Sequence, residues 1–138
     1  MLATSGAPSL AWKLGWAKRG QIIHDQFGDP TFPPNYPIID RIPDGIATSI
    51  KSIDLNAKTY QNDISLTNRV LKCVDDVREF EGADWGGKSV KPDDIAGRAL
   101  EVIVPRGTMT ESQHIVFERA RAKALQDPKP VDIILTEF

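Results

Sequence analysis

The sequence predicts an α/β (α+β) fold, a small mixed β-sheet flanked by helices. Three observations carry this. Residues 64–80 place Leu66, Val70, Cys73, Val77 and Phe80 at alternating spacings of four and three, which puts them on one face of a helix. Residues 99–104 and 131–136 are apolar runs of strand length, the first ended by Pro105 and Gly107. Between them, residues 109–126 carry a capping-box pattern, Thr110 and Gln113, ahead of a stripe of Phe117, Ala120 and Ala124.

The remaining elements follow in chain order. Residues 10–27 mix Trp12, Leu14, Trp16, Ile22, Ile23 and Phe27 with basic residues and read as helix, interrupted near Gly15 or Gly20 and stopping at Gly28. Four prolines between Asp29 and Pro37 exclude regular helix there. Residues 37–42 and 46–55 then read as two strands around a Pro43-Asp44-Gly45 turn, a β-hairpin. The clear helix at 64–80 has Asp63 as its expected N-cap and Gly82 as its stop. Residues 81–97, with Gly86-Gly87 and Pro92, read as a loop. The expected order is helix, strand, strand, helix, strand, helix, strand.

Composition sets the limits. With 138 residues, 41% hydrophobic and 26% charged, the chain has the make-up of one globular domain spanning residues 1–138, with residues 1–8 as a disordered lead-in. No apolar run approaches the roughly 18 residues of a membrane span. Residues 1–8 also lack the basic and apolar regions of a signal peptide, so export is expected to depend on something else. A single cysteine, Cys73, excludes an internal disulfide, and its place on the apolar stripe assigns it to packing. The net charge is -2, whereas nucleic-acid binders usually carry a basic surplus. Any contact with nucleic acid must therefore rest on a local patch.

Polar residues concentrate in the expected hairpin: Asp40, Thr48, Ser49, Lys51, Ser52 and Asp54. A carboxylate facing a lysine is the least equipment for phosphodiester cleavage, since the lysine can neutralise charge developing on phosphate. The carboxylate can also hold a divalent ion. A cross-strand ion pair, worth under ~1 kcal/mol, accounts for the same residues, and spacing alone favours it. Histidine is a common acid–base residue, but a lone helical one such as His24 is more often structural. Trp85 reads either as a stacking platform or as a cover for the core edge. Lys18, Arg19, Lys88, Arg98 and Arg106 offer basic ground or merely a solvated surface. No phosphate-binding loop, dinucleotide fingerprint, nucleophile elbow or zinc spacing occurs.

The stretch FPPNYPIIDRIPDGIATSIKSIDLNAKTYQ, residues 32–61, resembles the C-terminal toxin domains of contact-dependent growth inhibition proteins. It looks in particular like their tRNA-cleaving group with a PD-(D/E)XK, restriction-endonuclease-like core. The likeness extends through Lys18-Arg19-Gly20, Phe80-Glu81-Gly82-Ala83 and residues 98–105. It implies a toxin carried at the end of a large secreted filamentous cell-surface protein, acting in the cytoplasm of the target bacterium and neutralised by a cognate immunity protein. Position by position, Asp40 matches the motif aspartate and Lys51 the motif lysine. Ser49 stands where the motif has a carboxylate, and His24 aligns with a first-helix glutamate. The resemblance thus implies catalysis by Asp40 and Lys51 with Ser49, His24 and Asp54 in support, and tRNA as substrate. It implies Mg²⁺ at Asp40 with two carboxylates missing, Asp25 or Asp54 being the candidate compensators. A metal-dependent DNase on the same scaffold, and a non-catalytic module binding nucleic acid or a host factor, are the alternatives.

Overall fold

Two helical crossovers decide the sheet. In the computed structural model, which describes residues 6–126 and 128–138, the chain runs α1 (Trp16–Phe27), β1 (Ile46–Ser52), α2 (Asp63–Arg78), β2 (Ala83–Trp85), β3 (Lys88–Val90), β4 (Gly97–Val104), α3 (Glu111–Ala124) and β5 (Val131–Glu137). The lead-in expected at residues 1–8 falls mostly outside the described residues. Strands joined through a helix come out parallel, and β1, β4 and β5 form a parallel sheet in the order β1-β4-β5. The central strand β4 is apolar and buried from Ala99 to Val104 apart from Glu101, which is buried but charged. That pattern suits a strand covered on both faces. The α/β fold class expected from sequence is the one observed, and no helix among the described residues is long and apolar enough to cross a membrane.

Alternation of side chains along β4 separates two cores. Leu100, Val102 and Val104 join Val70, Cys73, Val74 and Val77 of α2 and Phe117, Ala120 and Ala124 of α3 in the main core. Ile103 points the other way and meets Ile50 and Ile23, so α1 covers that face alone, with Trp12, Phe27 and Phe138 around it. The helix ends follow their capping chemistry. Thr110 and Gln113 exchange the two bonds of a capping box, and Gln113 Nε2 also donates to the Leu55 and Tyr60 carbonyls, both at 3.0 Å. The N-cap of α2 is Asn62, whose side chain accepts from Ile64 N and Ser65 N, rather than the expected Asp63.

Two further sequence expectations are corrected and one is narrowed. The hairpin at residues 37–55 does not form. Pro37 has no N–H to give a ladder, Ile38 turns to φ 63°, and Ile39 N donates back to Pro37 O at 2.7 Å, so the approach to β1 is a kinked loop. Its antiparallel pairing shrinks to one bridge, Arg41 with Thr48. Asp44 and Gly45 sit in a short 3-10 turn, both at positive φ. Conversely, the loop at 81–97 contains a hairpin, β2 and β3, closed by Gly86 at φ 60° and Gly87 at φ 84°. Positive φ at both central residues defines the tight hairpin turn that suits strand twist. Finally, the first helix divides at Gly15 into a 3-10 turn, Leu10–Lys13, and α1, which runs unbroken through Gly20.

The α1 face of the sheet holds one buried ion pair. Arg41 donates to Glu101 Oε1 at 2.5 Å and to the Phe27 carbonyl at 3.0 Å, while Thr136 Oγ1 donates to Glu101 Oε2 at 2.6 Å. The Glu101 side chain is 8% exposed and that of Arg41 24%. Removing one partner of such a pair leaves a charge unmet in a poorly solvated place. Glu101→Ala is expected to lower unfolding stability by about 3 kcal/mol, read from urea denaturation at neutral pH. Arg41→Ala should show a loss of similar size.

Candidate active site

One stripe of α1 builds the wall of a cleft. Trp16, Gly20 and His24 recur every fourth residue and, with Arg19 and Ile23, share a helix face. Ile23 anchors that face on Ile50, and its neighbours look out over the edge of β1. Opposite them, the kinked loop delivers Asp40. Backbone pairing fixes it: Asp40 N donates to Thr48 O at 2.8 Å, and Thr48 N to Arg41 O at 2.9 Å. Its side chain then extends the ladder by one bond, Oδ2 accepting from Ile50 N at 2.6 Å. The other oxygen, Oδ1, lies 3.6 Å from His24 Nδ1.

His24 owes its place to a glycine. A Cβ at Gly28 would stand 2.6 Å from the His24 carbonyl oxygen, closer than real contacts allow, and 3.0 Å from Nδ1, a tight contact. Gly28 N donates to that same carbonyl at 2.8 Å, closing the last turn of α1 beside the imidazole.

Two hollows meet at Gly20, His24 and Asp40. The smaller, about 370 Å³, is basic, with Arg19, Lys51 and Arg69 in its lining and the exposed Trp16 at its mouth. Arg19 Nε donates to Ser52 Oγ at 3.3 Å, and its guanidinium stacks 5.3 Å from the Trp12 ring centre. Neither Lys51 nor Arg69 forms a salt bridge among the described residues, so both charges are available to an anion. The larger hollow, about 590 Å³, is walled by the proline-rich loop. Burial raises the Asp40 pKa, opposed in turn by the Ile50 N–H, the Lys51 charge and His24.

The sequence-derived candidates are thus only partly gathered. Asp40, His24, Lys51 and Arg19 converge. Ser49 is 2% exposed and lines neither hollow. Asp54 lies beyond β1, where its Oδ1 accepts from Asn56 N in a local turn. Lys18 is exposed on α1 outside both hollows. Trp85 donates to Pro34 O at 3.3 Å, and Lys88 sits 4.8 Å from the Phe32 ring centre, both behind the proline loop. Arg98 is bound to Phe80 O and Glu81 at the start of β4, and Arg106 follows its far end, so some 25 Å of strand separates them. Sequence reasoning missed Arg69 and Trp16, although the spacing of Trp16 from Gly20 and His24 was there to be read.

The donors facing each other at Asp40 are one carboxylate and one imidazole. Among the described residues no three His, Cys, Asp or Glu side chains gather into a metal site. Mg²⁺ prefers an octahedron of oxygens, and one of the two Asp40 oxygens is already committed to Ile50 N. Asp40 would therefore supply one carboxylate toward such an ion, the remaining positions falling to water and substrate phosphate.

Comparison with known proteins gives the site its context. Residues 19–136 match the model of the CDI toxin restriction endonuclease-like domain. The chain belongs to that family. A chain of the "CdiA-CT/CdiI toxin and immunity complex from Yersinia pseudotuberculosis" shares the fold, with a TM-score of 0.65 over 91% of this chain and 99% of that one at 20% identity. No curated protein matches the chain. The match places this CDI toxin domain among restriction-endonuclease-like folds.

The site's constraints are measurable in this CDI toxin domain. Gly28→Ala should displace the His24 ring and lower nuclease activity at least tenfold while the far-UV spectrum of the fold is kept; unchanged activity with unchanged His24 NMR shifts contradicts the packing argument. For Asp40 the sign of the linkage is set by a folded pKa above the unfolded one. The folded state then holds the proton more tightly, so stability falls as pH rises through the two values. Asp40→Asn, which keeps an acceptor for Ile50 N, should raise Tm at pH 7. That gain should shrink as the wild type is acidified below the raised Asp40 pKa, a trend that thermal melts across pH would check.

Proposed function

We propose that this CDI toxin domain is an endoribonuclease that cleaves tRNA in the cytoplasm of the target bacterium and is blocked in sibling cells by a cognate immunity protein. The observation that carries the reading is the His24–Asp40 pair, 3.6 Å apart, beside the unpaired Lys51 in an open cleft. RNA brings its own nucleophile, the ribose 2′-OH, and needs acid–base groups more than a metal cluster. That is what this cleft offers. A role at the end of a large secreted cell-surface protein is part of the same reading, and the structural neighbour, a chain of a toxin and immunity complex, supports the immunity partner.

The chemistry divides among four groups. With Nδ1 turned to Asp40, the His24 atom left to take a proton from the 2′-OH is Nε2. Asp40, itself held by Ile50 N, fixes the ring and stabilises the imidazolium that results. The 2′-oxygen–phosphorus bond forms as the phosphorus–5′-oxygen bond breaks, giving a 2′,3′-cyclic phosphate and a 5′-hydroxyl. Water protonates the departing 5′-oxygen, and the hydroxide so formed is neutralised by the proton that His24 took up and then releases. Lys51 and Arg69 neutralise the charge that builds on the phosphate oxygens. Arg19 extends the cationic wall toward the next phosphate. No role on the substrate is assigned to Ser49, given its burial.

The test is incubation of the purified domain with total tRNA and with supercoiled plasmid, each with and without EDTA. Cleaved tRNA ending in cyclic phosphate, intact plasmid, and insensitivity to EDTA are the expected results. Asp40→Ala and Lys51→Ala should each lower the rate by on the order of 100-fold or more. Plasmid nicking that EDTA abolishes favours a metal-dependent DNase. Toxicity that survives loss of both residues but not of Trp85 and Lys88 favours a binding module.

A further inference from the structure

Gly20 sits in the middle of α1, where glycine costs about 1 kcal/mol relative to alanine. Nothing in the fold asks for it. Its φ is not in the left-handed region, and a Cβ there would meet no atom within 4 Å. Yet Gly20 lines both hollows at the seam between them. A helix position that gives up stability, has room for a side chain and faces a cleft is explained by the close approach of something from outside.

The two hollows differ in charge. The smaller carries Arg19, Lys51 and Arg69, whereas the lining of the larger contains no lysine or arginine and includes the Asp25 carboxylate. A phosphodiester backbone favours the first and is repelled from the second. The larger hollow has Pro33 and Pro34 as apolar lining over the buried Phe32, together with the polar side chains of Gln21, Asp25 and Asn35. At about 590 Å³ it falls within the roughly 300–1,000 Å³ of small-molecule sites. Gln21 Nε2 donates to Asp25 Oδ1 at 2.9 Å, which leaves Gln21 Oε1 and Asp25 Oδ2 as acceptors. The walls are held in place before any ligand arrives. Phe32 and Tyr36 stack edge to face, Tyr36 donates to Ala83 O at 2.8 Å, and prolines fix the loop around them.

Resting on the nuclease reading above, we propose that the proline-walled hollow is a nucleobase subsite. One unstacked base of the substrate enters it, while the adjoining backbone crosses Gly20 to place the scissile phosphate between His24 and Lys51. The acceptor-rich lining favours bases that present amino groups, guanine, adenine or cytosine, over uracil, which presents carbonyls. An unstacked base also requires single-stranded or loop segments as the cleaved region.

Uncharged nucleosides separate base binding from phosphate binding, so they are the probe. Titrating the full ¹⁵N-labelled chain with guanosine, adenosine, cytidine and uridine, and with their 2′-deoxy forms, should shift the amides of Gly20, Gln21 and Asn35 saturably. Uridine should be weakest. Gly20→Leu should abolish those shifts and reduce kcat/KM on tRNA at least tenfold, with Tm no lower than wild type. Gly20→Ala should raise Tm and reduce kcat/KM measurably, by less than Gly20→Leu does. Nucleosides that shift nothing at these amides, or Gly20→Leu cleaving as fast as wild type, overturn the subsite. The titration does not depend on turnover. Saturable shifts in a domain that fails to cut nucleic acid would uphold the pocket and sink the nuclease reading; cleavage without shifts would do the reverse.

Discussion

The Arg41 guanidinium is the tie on which the site depends. Its backbone bridges Thr48 on β1, and its side chain reaches the last carbonyl of α1 and Glu101 on β4. Glu101 in turn accepts from Thr136 on β5. One residue thus links all three strands of the sheet to the helix that carries His24. Asp40 is its immediate neighbour in the chain, so the position of the carboxylate is set by the same pair. The α1 face is otherwise thin, with Ile23, Ile50 and Ile103 as its only fully buried apolar cluster among the described residues. A single helix over so small a core needs a directional restraint. A buried, hydrogen-bonded ion pair supplies one at a desolvation cost that the larger α2–α3 core can bear.

The overall charge of -2 is compatible with an anionic substrate because the charge is sorted in space. Arg19, Lys51 and Arg69 share one hollow, and none of the three is gathered there by sequence proximity. They come from α1, β1 and α2, brought together by the parallel crossover between β1 and β4. Elsewhere, cations are used internally: Arg98 and Lys129 share Glu81, and Arg78 and Arg121 pair with carboxylates on their own helices. Global charge therefore says little about this cleft, and local geometry says a good deal.

Much of the frame was legible in the sequence. The stripe from Leu66 to Val77, the capping box at Thr110 and the apolar runs of β4 and β5 are local signals, and each reappears in place. What failed was where backbone geometry overrode pattern. Ile38-Ile39 looked like strand, but a β-branched residue at φ 63° cannot be foreseen from its neighbours. Gly86-Gly87 was the opposite case, a readable turn signal passed over because strands of three residues carry almost no periodicity. Of the site, Asp40, Lys51, His24 and Arg19 were named from sequence. Arg69 was not, because only the α2 crossover brings it to β1. Arg41 and Glu101 were not, because a charged pair between a loop and a central strand leaves no local trace.

The bond from Ile50 N to Asp40 Oδ2 has a further meaning. β1 is an outer strand, and its unpaired N–H groups are a template on which another chain can add. Arg41 pairs with one position of that edge and the Asp40 carboxylate seals the next. The carboxylate that faces His24 is therefore also a guard on the border of the sheet, covering an N–H on which another strand could pair. Loss of the carboxylate would remove the group facing His24 and bare an edge N–H in one stroke, so cleft and sheet border meet in this fold at a single side chain.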